Sequence, residues 1–77
     1  MRAREGFTAD LRERLRYCLY ECHVRQPSRR AAARWVGLAP STLMRFLAGS
    51  TRLDTRSLDR IVDYVRREEH ARRKAAA

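Results

Sequence analysis

The chain has 77 residues, of which 18 are lysine or arginine and 9 are aspartate or glutamate, and its formal net charge is +9. This length suits one small domain, expected over residues 1–77 with a core at about 8–69, and no apolar stretch is long enough for a signal peptide or a membrane span. We therefore expect a soluble, intracellular domain, and the excess of positive charge favours a polyanionic partner, most often nucleic acid.

Acidic residues are missing from one part of the chain. Residues 27–53, here called the basic segment, contain five arginines and no carboxylate. Residues 1–26 contain six basic and four acidic residues, and residues 54–77 contain seven and five. Genomic base composition would explain a preference for arginine over lysine, but it would not remove the acids from one segment only. We therefore expect the basic segment to face the polyanion.

The apolar periodicity predicts a first helix at about residues 9–25. Thr8 is a suitable N-cap, and Pro27 ends the helix because the residue before a proline is disfavoured in the helical conformation. The apolar face of this helix contains Leu11, Leu15, Cys18, Leu19 and Cys22. Both cysteines lie on this face, where a free thiol packs as a small apolar group.

Two short helices are predicted next, at about residues 29–36 and 40–48. Ser28 is the expected N-cap of the first, and Gly37 ends it because glycine tolerates a positive φ at a helix end. Pro40 suits the first position of the second helix, where its missing N–H group is not needed. The side chains expected to face inward are Ala32, Ala33, Val36, Leu43, Phe46 and Leu47.

A fourth helix is predicted at about residues 55–69, with Asp54 or Thr55 as its N-cap. Its apolar residues recur at helical spacing and are Leu58, Ile61, Val62 and Val65. Beyond Val65 the chain is almost wholly charged apart from alanine, and we expect about the last six residues of this basic tail to fray. Together these elements predict an all-α, four-helix domain.

The second and third helices agree with the spacing of a helix-turn-helix. That motif needs a small residue inside its first helix, a glycine four residues later, an apolar plug in the turn and two apolar anchors in its second helix. These positions are occupied by Ala33, Gly37, Leu38, Leu43 and Phe46. The stretch RRAAARWVGLAPSTLMRFLAG therefore resembles the lambda-repressor/Cro-like helix-turn-helix family, and the resemblance extends over roughly residues 28–65.

Three positions of the motif region stand out against the family's pattern. Arg29 stands where the family often has glutamine. Ala39 stands where the family usually has a serine or threonine cap, and the lost cap costs about 1 kcal/mol. Trp35 occupies a position that is normally at the surface, and its alternative contacts are arginine stems, the first helix or a partner chain.

The resemblance implies that the third helix enters the major groove of double-stranded DNA, which admits one α-helix. The residues that it assigns to base reading are Ser41 and Arg45, with Met44 and Pro40 beside them. The predicted phosphate contacts are Arg29, Arg30, Thr42, Ser50, Thr51 and Arg52. Arg2 and Arg4 belong either to an arm along the duplex or to a solvated terminus.

These features predict a sequence-specific transcriptional regulator, a repressor that binds an inverted-repeat operator as a homodimer. The resemblance implies a small phage or mobile-element regulator in the cytoplasm, at the nucleoid of a bacterial host, often acting on its own promoter. The fourth helix is the expected dimer element, through Tyr64 and Val65. The alternatives are an antitoxin or protein-interaction adaptor and an RNA-binding module, which would need aromatic residues on its basic side.

No catalytic arrangement is readable in the sequence. His23 and His70 have no partners at a suitable spacing, and Ser41 has no nearby base. The spacing of Cys18 and Cys22 differs from the close-set cysteine pairs of zinc sites. The sequence therefore predicts neither an enzyme nor a metal site, and no cofactor, small-molecule ligand or membrane association.

Overall fold

The computed structural model describes residues 2–23, 25–50 and 52–76, and their side chains from residue 6 onward. Within these ranges the chain contains no strand and folds into four α-helices, which confirms the prediction of a small all-α fold. The helices are α1 (Arg2–Arg16), α2 (Arg29–Val36), α3 (Pro40–Leu47) and α4 (Thr55–Ala76), and a π-helical segment (Tyr17–Glu21) continues α1. None of these described helices is both long and apolar enough to span a membrane.

The first helix begins and ends earlier than its sequence predicts. It starts at Arg2, so Thr8 lies inside the helix, buried at 8% exposure, rather than at its N-cap. The residues before Thr8 are mostly good helix formers, and Gly6 opposes the helix by only about 1 kcal/mol. The helical conformation ends with the π-helical segment, where the N–H of Cys22 donates to the carbonyl of Tyr17 at 3.1 Å, rather than at residue 25.

One continuous core joins the four helices. The face predicted for the first helix is buried at Leu11, Leu15, Cys18 and Leu19, whereas Cys22 is half-buried. The remaining buried apolar side chains come from the later helices and are Ala32, Ala33, Val36, Leu43, Phe46, Ile61, Tyr64 and Val65. The predicted inward side of α3 is therefore correct at Leu43 and Phe46, while Leu47 is half-buried against the same cluster.

The corner between α2 and α3 follows the local signals of the sequence. Ser28 caps α2, its Oγ accepting a hydrogen bond from the N–H of Ala31 at 3.1 Å. Gly37 adopts a φ of 86°, and the N–H groups of Gly37 and Leu38 both donate to the carbonyl of Ala33, at 2.8 and 3.0 Å. This is the left-handed helix ending that favours glycine, because other residues strain at positive φ.

The C-terminal half of α4 is held against the first helix. Arg14 forms a bidentate ion pair with Glu69. Its Nε donates to Oε2 of Glu69 at 3.0 Å, and its Nη2 donates to Oε1. One turn further, the guanidinium of Arg72 lies 4.8 Å from the ring centroid of Tyr17 and donates to the thiol of Cys18. With these contacts in place, α4 continues to Ala76, past its predicted end at about residue 69 and through the residues expected to fray.

The residues predicted to form a dimer contact belong to the core instead. Tyr64 is 4% exposed and Val65 is fully buried, because this part of α4 packs against the first helix and its π-helical continuation. Neither side chain exposes enough surface to carry a contact with a second copy of the folded chain. The prediction that these two residues carry the dimer contact is therefore wrong.

Replacing Glu69 by glutamine tests the ion pair with Arg14. The hydrogen bond from Arg14 holds the pKa of Glu69 below its ordinary value of 4.5. A carboxylate with a lowered folded-state pKa stabilises the fold above its unfolded-state pKa, and this stabilisation is lost as the pH falls through the folded-state pKa. We therefore expect Glu69→Gln to be less stable near neutral pH and to lose less stability than the wild type between about pH 5 and pH 3 in urea unfolding.

The matched control is Glu13→Gln, which changes an exposed carboxylate of α1. As the pH falls, the free energy of unfolding of this control should decrease as much as that of the wild type. If the wild type and Glu69→Gln lost stability in parallel as the pH fell, the pair between Arg14 and Glu69 would contribute nothing to the fold.

Candidate nucleic-acid interface

Helix α3 is anchored on one side and exposed on the other. Leu43 and Phe46 are fully buried, three residues apart, and fix which side of the helix faces the core. The opposite side exposes Pro40, Ser41 and Arg45, with Thr42 and Met44 half-buried beside them. The four residues predicted to read bases are therefore on the solvent side of α3, although Met44 is only partly accessible.

The N-terminal end of α3 faces solvent with its backbone donors unused. Ala39 is the N-cap and offers no side-chain hydrogen bond, and the first intrahelical bond runs from the N–H of Leu43 to the carbonyl of Ala39 at 3.0 Å. Pro40 has no N–H, which leaves those of Ser41 and Thr42 without an intrahelical acceptor. This end carries the positive end of the helix dipole, so it attracts an anion.

The C-terminal end of α3 is held by two arginines of α1. Nε of Arg12 donates to the carbonyl of Phe46 at 2.6 Å, and Nη2 of Arg16 donates to the carbonyl of Leu47 at 2.6 Å. The guanidinium of Arg12 also lies 5.1 Å from the ring centroid of Phe46. Cations at this position satisfy the last carbonyls and oppose the negative end of the dipole, so they stabilise α3 in its place.

A third arginine supports the turn before α3. Nη1 of Arg60, in α4, donates to the carbonyl of Gly37 at 2.6 Å. No role for Arg12, Arg16 or Arg60 was predicted from the sequence. For the first two, a signal was present in the sequence: each directly follows a leucine of the buried stripe, Leu11 or Leu15, and therefore borders the core.

The arginines of the basic segment differ from these three. Among the described residues, the guanidinium groups of all five form no hydrogen bond or ion pair, and all five side chains are exposed: Arg29, Arg30, Arg34, Arg45 and Arg52. Arg29 and Arg30 lie in the first turn of α2. Several arginines outside this segment, among them Arg12, Arg16 and Arg60, thus make internal contacts, whereas none of the five inside it does so in the described residues.

Two of these arginines border a cavity beside α3. The cavity has a volume of about 190 Å³, and its lining residues are Thr42, Arg45, Arg52, Leu53, Asp54 and Ser57. Asp54 caps α4 by accepting a hydrogen bond from the N–H of Ser57 at 3.3 Å. The hydrogen bond from Ser57 lowers the pKa of Asp54, so the cavity carries one negative and two positive groups. The fold thereby brings Thr42, Arg45 and Arg52 together.

The remaining predicted phosphate contacts are placed differently. Ser50 is half-buried, and its hydroxyl accepts a hydrogen bond from the N–H of Arg52 at 3.2 Å. The carbonyl of Ser50 accepts from Nη2 of Arg12 at 3.4 Å, so Ser50 shapes the loop after α3. Thr51 and the side chains of Arg2 and Arg4 lie outside the described residues, although the backbone of the two arginines is helical.

The two cysteines are free thiols near the core. Cys18 is fully buried, and burial raises the pKa of its thiol, so it packs as a neutral side chain. The thiol of Cys22 donates to the carbonyl of Cys18 at 3.0 Å. In the described part of the chain, no three cysteine, histidine or acidic side chains cluster in a way that could hold a metal ion.

Comparison with known proteins adds no relative. No protein-family model, curated protein or solved structure matches the chain. Its function is therefore inferred from the exposed side of α3 and the unpaired arginines around it.

Replacing Arg12 by glutamine tests the support of α3. The change removes the hydrogen bond to the carbonyl of Phe46 and the contact with its ring, so we expect a loss of about 1–3 kcal/mol in the free energy of unfolding. Urea unfolding measures this loss, with Arg30→Gln as the control because Arg30 is exposed and unpaired in the described residues. Equal stability of the two variants would show that Arg12 does not support α3.

Proposed function

We propose that the chain is a sequence-specific, double-stranded DNA-binding regulator of the helix-turn-helix type. The observation that carries the proposal is the position of α3. Its apolar anchors, Leu43 and Phe46, are buried and its C-terminal carbonyls are capped by Arg12 and Arg16, whereas its N-terminal end is exposed. A helix held in this way presents a rigid face of the size that the major groove admits.

Base reading is assigned to Ser41 and Arg45. Both side chains are exposed, and the guanidinium of Arg45 has no partner among the described residues. A free guanidinium can donate two hydrogen bonds to the O6 and N7 atoms of guanine. Pro40 and Met44 provide apolar surface beside them, which suits contact with a thymine methyl group.

Phosphate binding is assigned to the unpaired groups around α3. Arg29 and Arg30 lie at the first turn of α2, and Thr42 and Arg52 line the cavity next to Arg45. The exposed backbone donors at the start of α3 add a site for an anionic oxygen. Each neutralised phosphate should contribute about −0.9 to the slope of log affinity against log salt concentration.

The proposed mode of action is repression by a homodimer. One helix-turn-helix reads only a few base pairs, and two copies would contact half-sites about 34 Å apart on one face of the duplex. Such a dimer represses by occupying DNA that a polymerase needs, in the manner of a small phage or mobile-element regulator at a bacterial nucleoid. Because Tyr64 and Val65 are buried, the contact between copies must use other residues.

The effect of Arg45→Ala on DNA affinity tests base reading. The preferred duplex is first selected from a randomised pool with the wild-type protein. We expect Arg45→Ala to weaken binding to this duplex by about 10- to 100-fold, the loss of one bidentate contact, with little effect on unrelated duplexes. Arg29→Ala should weaken binding to both classes of duplex, because a phosphate contact carries no sequence information.

The matched control is Arg66→Ala, which removes an exposed arginine outside the basic segment. It should bind the preferred duplex almost as well as the wild type in the same fluorescence-anisotropy titration. An equal loss for Arg45→Ala on every duplex would refute the assignment of Arg45 to base reading. A wild-type protein that selects no duplex, but co-purifies with a stoichiometric protein, would favour the antitoxin function instead.

The stoichiometry of the complex tests the homodimer. Sedimentation of the protein with a duplex that contains both selected half-sites should give two chains per duplex. Moving the half-sites apart by half a helical turn, about 5 base pairs, should weaken binding because the two α3 helices then face opposite sides of the DNA. One chain per duplex, with affinity independent of spacing, would show that the protein acts as a monomer.

A further inference from the structure

A second cavity lies away from the exposed face of α3. It has a volume of about 340 Å³, within the range of small-molecule sites. It is lined by His23, which follows the π-helical segment, by Trp35 of α2, and by Tyr64, Arg67 and Glu68 of α4. None of these residues is among those assigned to DNA contact, so the cavity requires a separate explanation.

Two polar atoms in the lining are buried without a partner. Among the described residues, the hydroxyl of Tyr64 and Nε2 of His23 accept and donate no hydrogen bond. The side chain of Tyr64 is 4% exposed, so its hydroxyl is well removed from bulk solvent. Buried polar groups are rarely left unpaired, because an unmet hydrogen bond costs free energy. A bound molecule that reaches Tyr64 and His23 would supply the missing partners.

The aromatic part of the lining provides ring faces. Trp35 is 43% exposed, and its ring centroid lies 5.2 Å from that of His23, with 47° between the ring planes. An exposed tryptophan face attracts both an aromatic ring and a cation. The position of Trp35, which the sequence left open, is therefore next to His23 at the edge of this cavity.

The charged part of the lining favours a cation. Arg67 is paired with the carboxylate of Asp63 at 3.2 Å. Glu68 forms no ion pair or hydrogen bond within the described residues. Burial, and after it the charge of Glu68, raises the pKa of Tyr64 above its ordinary value of 10.0, so the hydroxyl stays protonated near neutral pH. The cavity thus combines an unpaired carboxylate, a neutral hydroxyl and ring faces.

We propose that this cavity binds a small organic cation that carries an aromatic ring. The cationic group pairs with Glu68, the ring packs against Trp35, and a polar substituent reaches the hydroxyl of Tyr64. The net charge of +9 opposes cations at long range, but salt screens it beyond about 8 Å at physiological ionic strength. Glu68 acts at contact distance inside the cavity, where screening is weaker.

Tyramine is a suitable probe because it combines an ammonium group, one aromatic ring and a hydroxyl. Trp35 is the single tryptophan of the chain, so its fluorescence reports on this cavity. We expect tyramine to change the fluorescence saturably, with a dissociation constant of about 0.1–1 mM. The anion 4-hydroxyphenylacetate and the neutral 4-ethylphenol should bind at least about tenfold more weakly, because neither pairs with a carboxylate.

Variants locate the bound probe within the cavity. Glu68→Gln should weaken tyramine binding by about tenfold or more, and Tyr64→Phe by about threefold to tenfold, because each removes one partner of the ligand. The matched control, Asp59→Asn, changes an exposed carboxylate of α4 outside the cavity and should bind tyramine as the wild type does. Circular dichroism verifies that each variant folds.

The proposal is overturned if tyramine gives no saturable change up to about 10 mM. It is also overturned if the three probes bind the wild type equally, or if Glu68→Gln and Asp59→Asn bind tyramine equally. The comparison of probes uses the wild-type protein only, so it decides the matter even if a variant fails to fold. No DNA is present in these titrations, and their result is therefore independent of the proposed DNA-binding function.

Discussion

The placement of α3 depends on which groups meet its two ends. At the C-terminal end, Arg12 and Arg16 donate to the carbonyls of Phe46 and Leu47, each at 2.6 Å, and satisfy groups that a helix leaves open. At the N-terminal end, Ala39 supplies no cap. The two arginines therefore oppose the negative, C-terminal end of the α3 dipole. The positive, N-terminal end remains exposed to solvent. Every proposal about DNA depends on this asymmetry.

Two groups of arginines in the molecule differ in their contacts. Those of α1 and α4 that are described above bind carbonyls, a carboxylate, an aromatic ring or a thiol within the fold: Arg12, Arg14, Arg16, Arg60 and Arg72. Those of the basic segment make no such contact in the described residues. Net charge alone does not distinguish the two groups. The fold does, because it places one set against acceptors and rings of the chain itself and leaves the other set exposed without such contacts.

Helix α2 connects the two proposed sites. Its buried side carries Ala32 and Ala33, which allow the neighbouring helices to approach closely. Its first turn carries Arg29 and Arg30, the proposed phosphate contacts, while Trp35 near its other end borders the cavity with Tyr64 and Glu68. An eight-residue helix thus contributes to both surfaces without any residue serving both. Helix α4 gives the cavity the buried hydroxyl of Tyr64 and the unpaired carboxylate of Glu68.

Local sequence signals determined α2, the turn at Gly37 and the start of α3, because capping by Ser28, a positive φ at glycine and proline at the first helical position act within about four residues. The anchors Leu43 and Phe46 were also readable from helical spacing. The beginning of α1 at Arg2 could not be read from the sequence. Thr8 resembles an N-cap, but the residues on both sides of it favour helix, so the helix starts before it.

Only the tertiary structure decided what holds α3 and how far α4 extends. Arg12 and Phe46 are 34 residues apart, and Arg14 and Glu69 are 55 apart, so no local pattern links the partners. The burial of Tyr64 and the cavity beside Trp35 likewise arise from packing of α4 against the first helical region and α2. Periodicity assigns a residue to a face of its own helix, but the neighbour that covers that face is set by how distant segments meet.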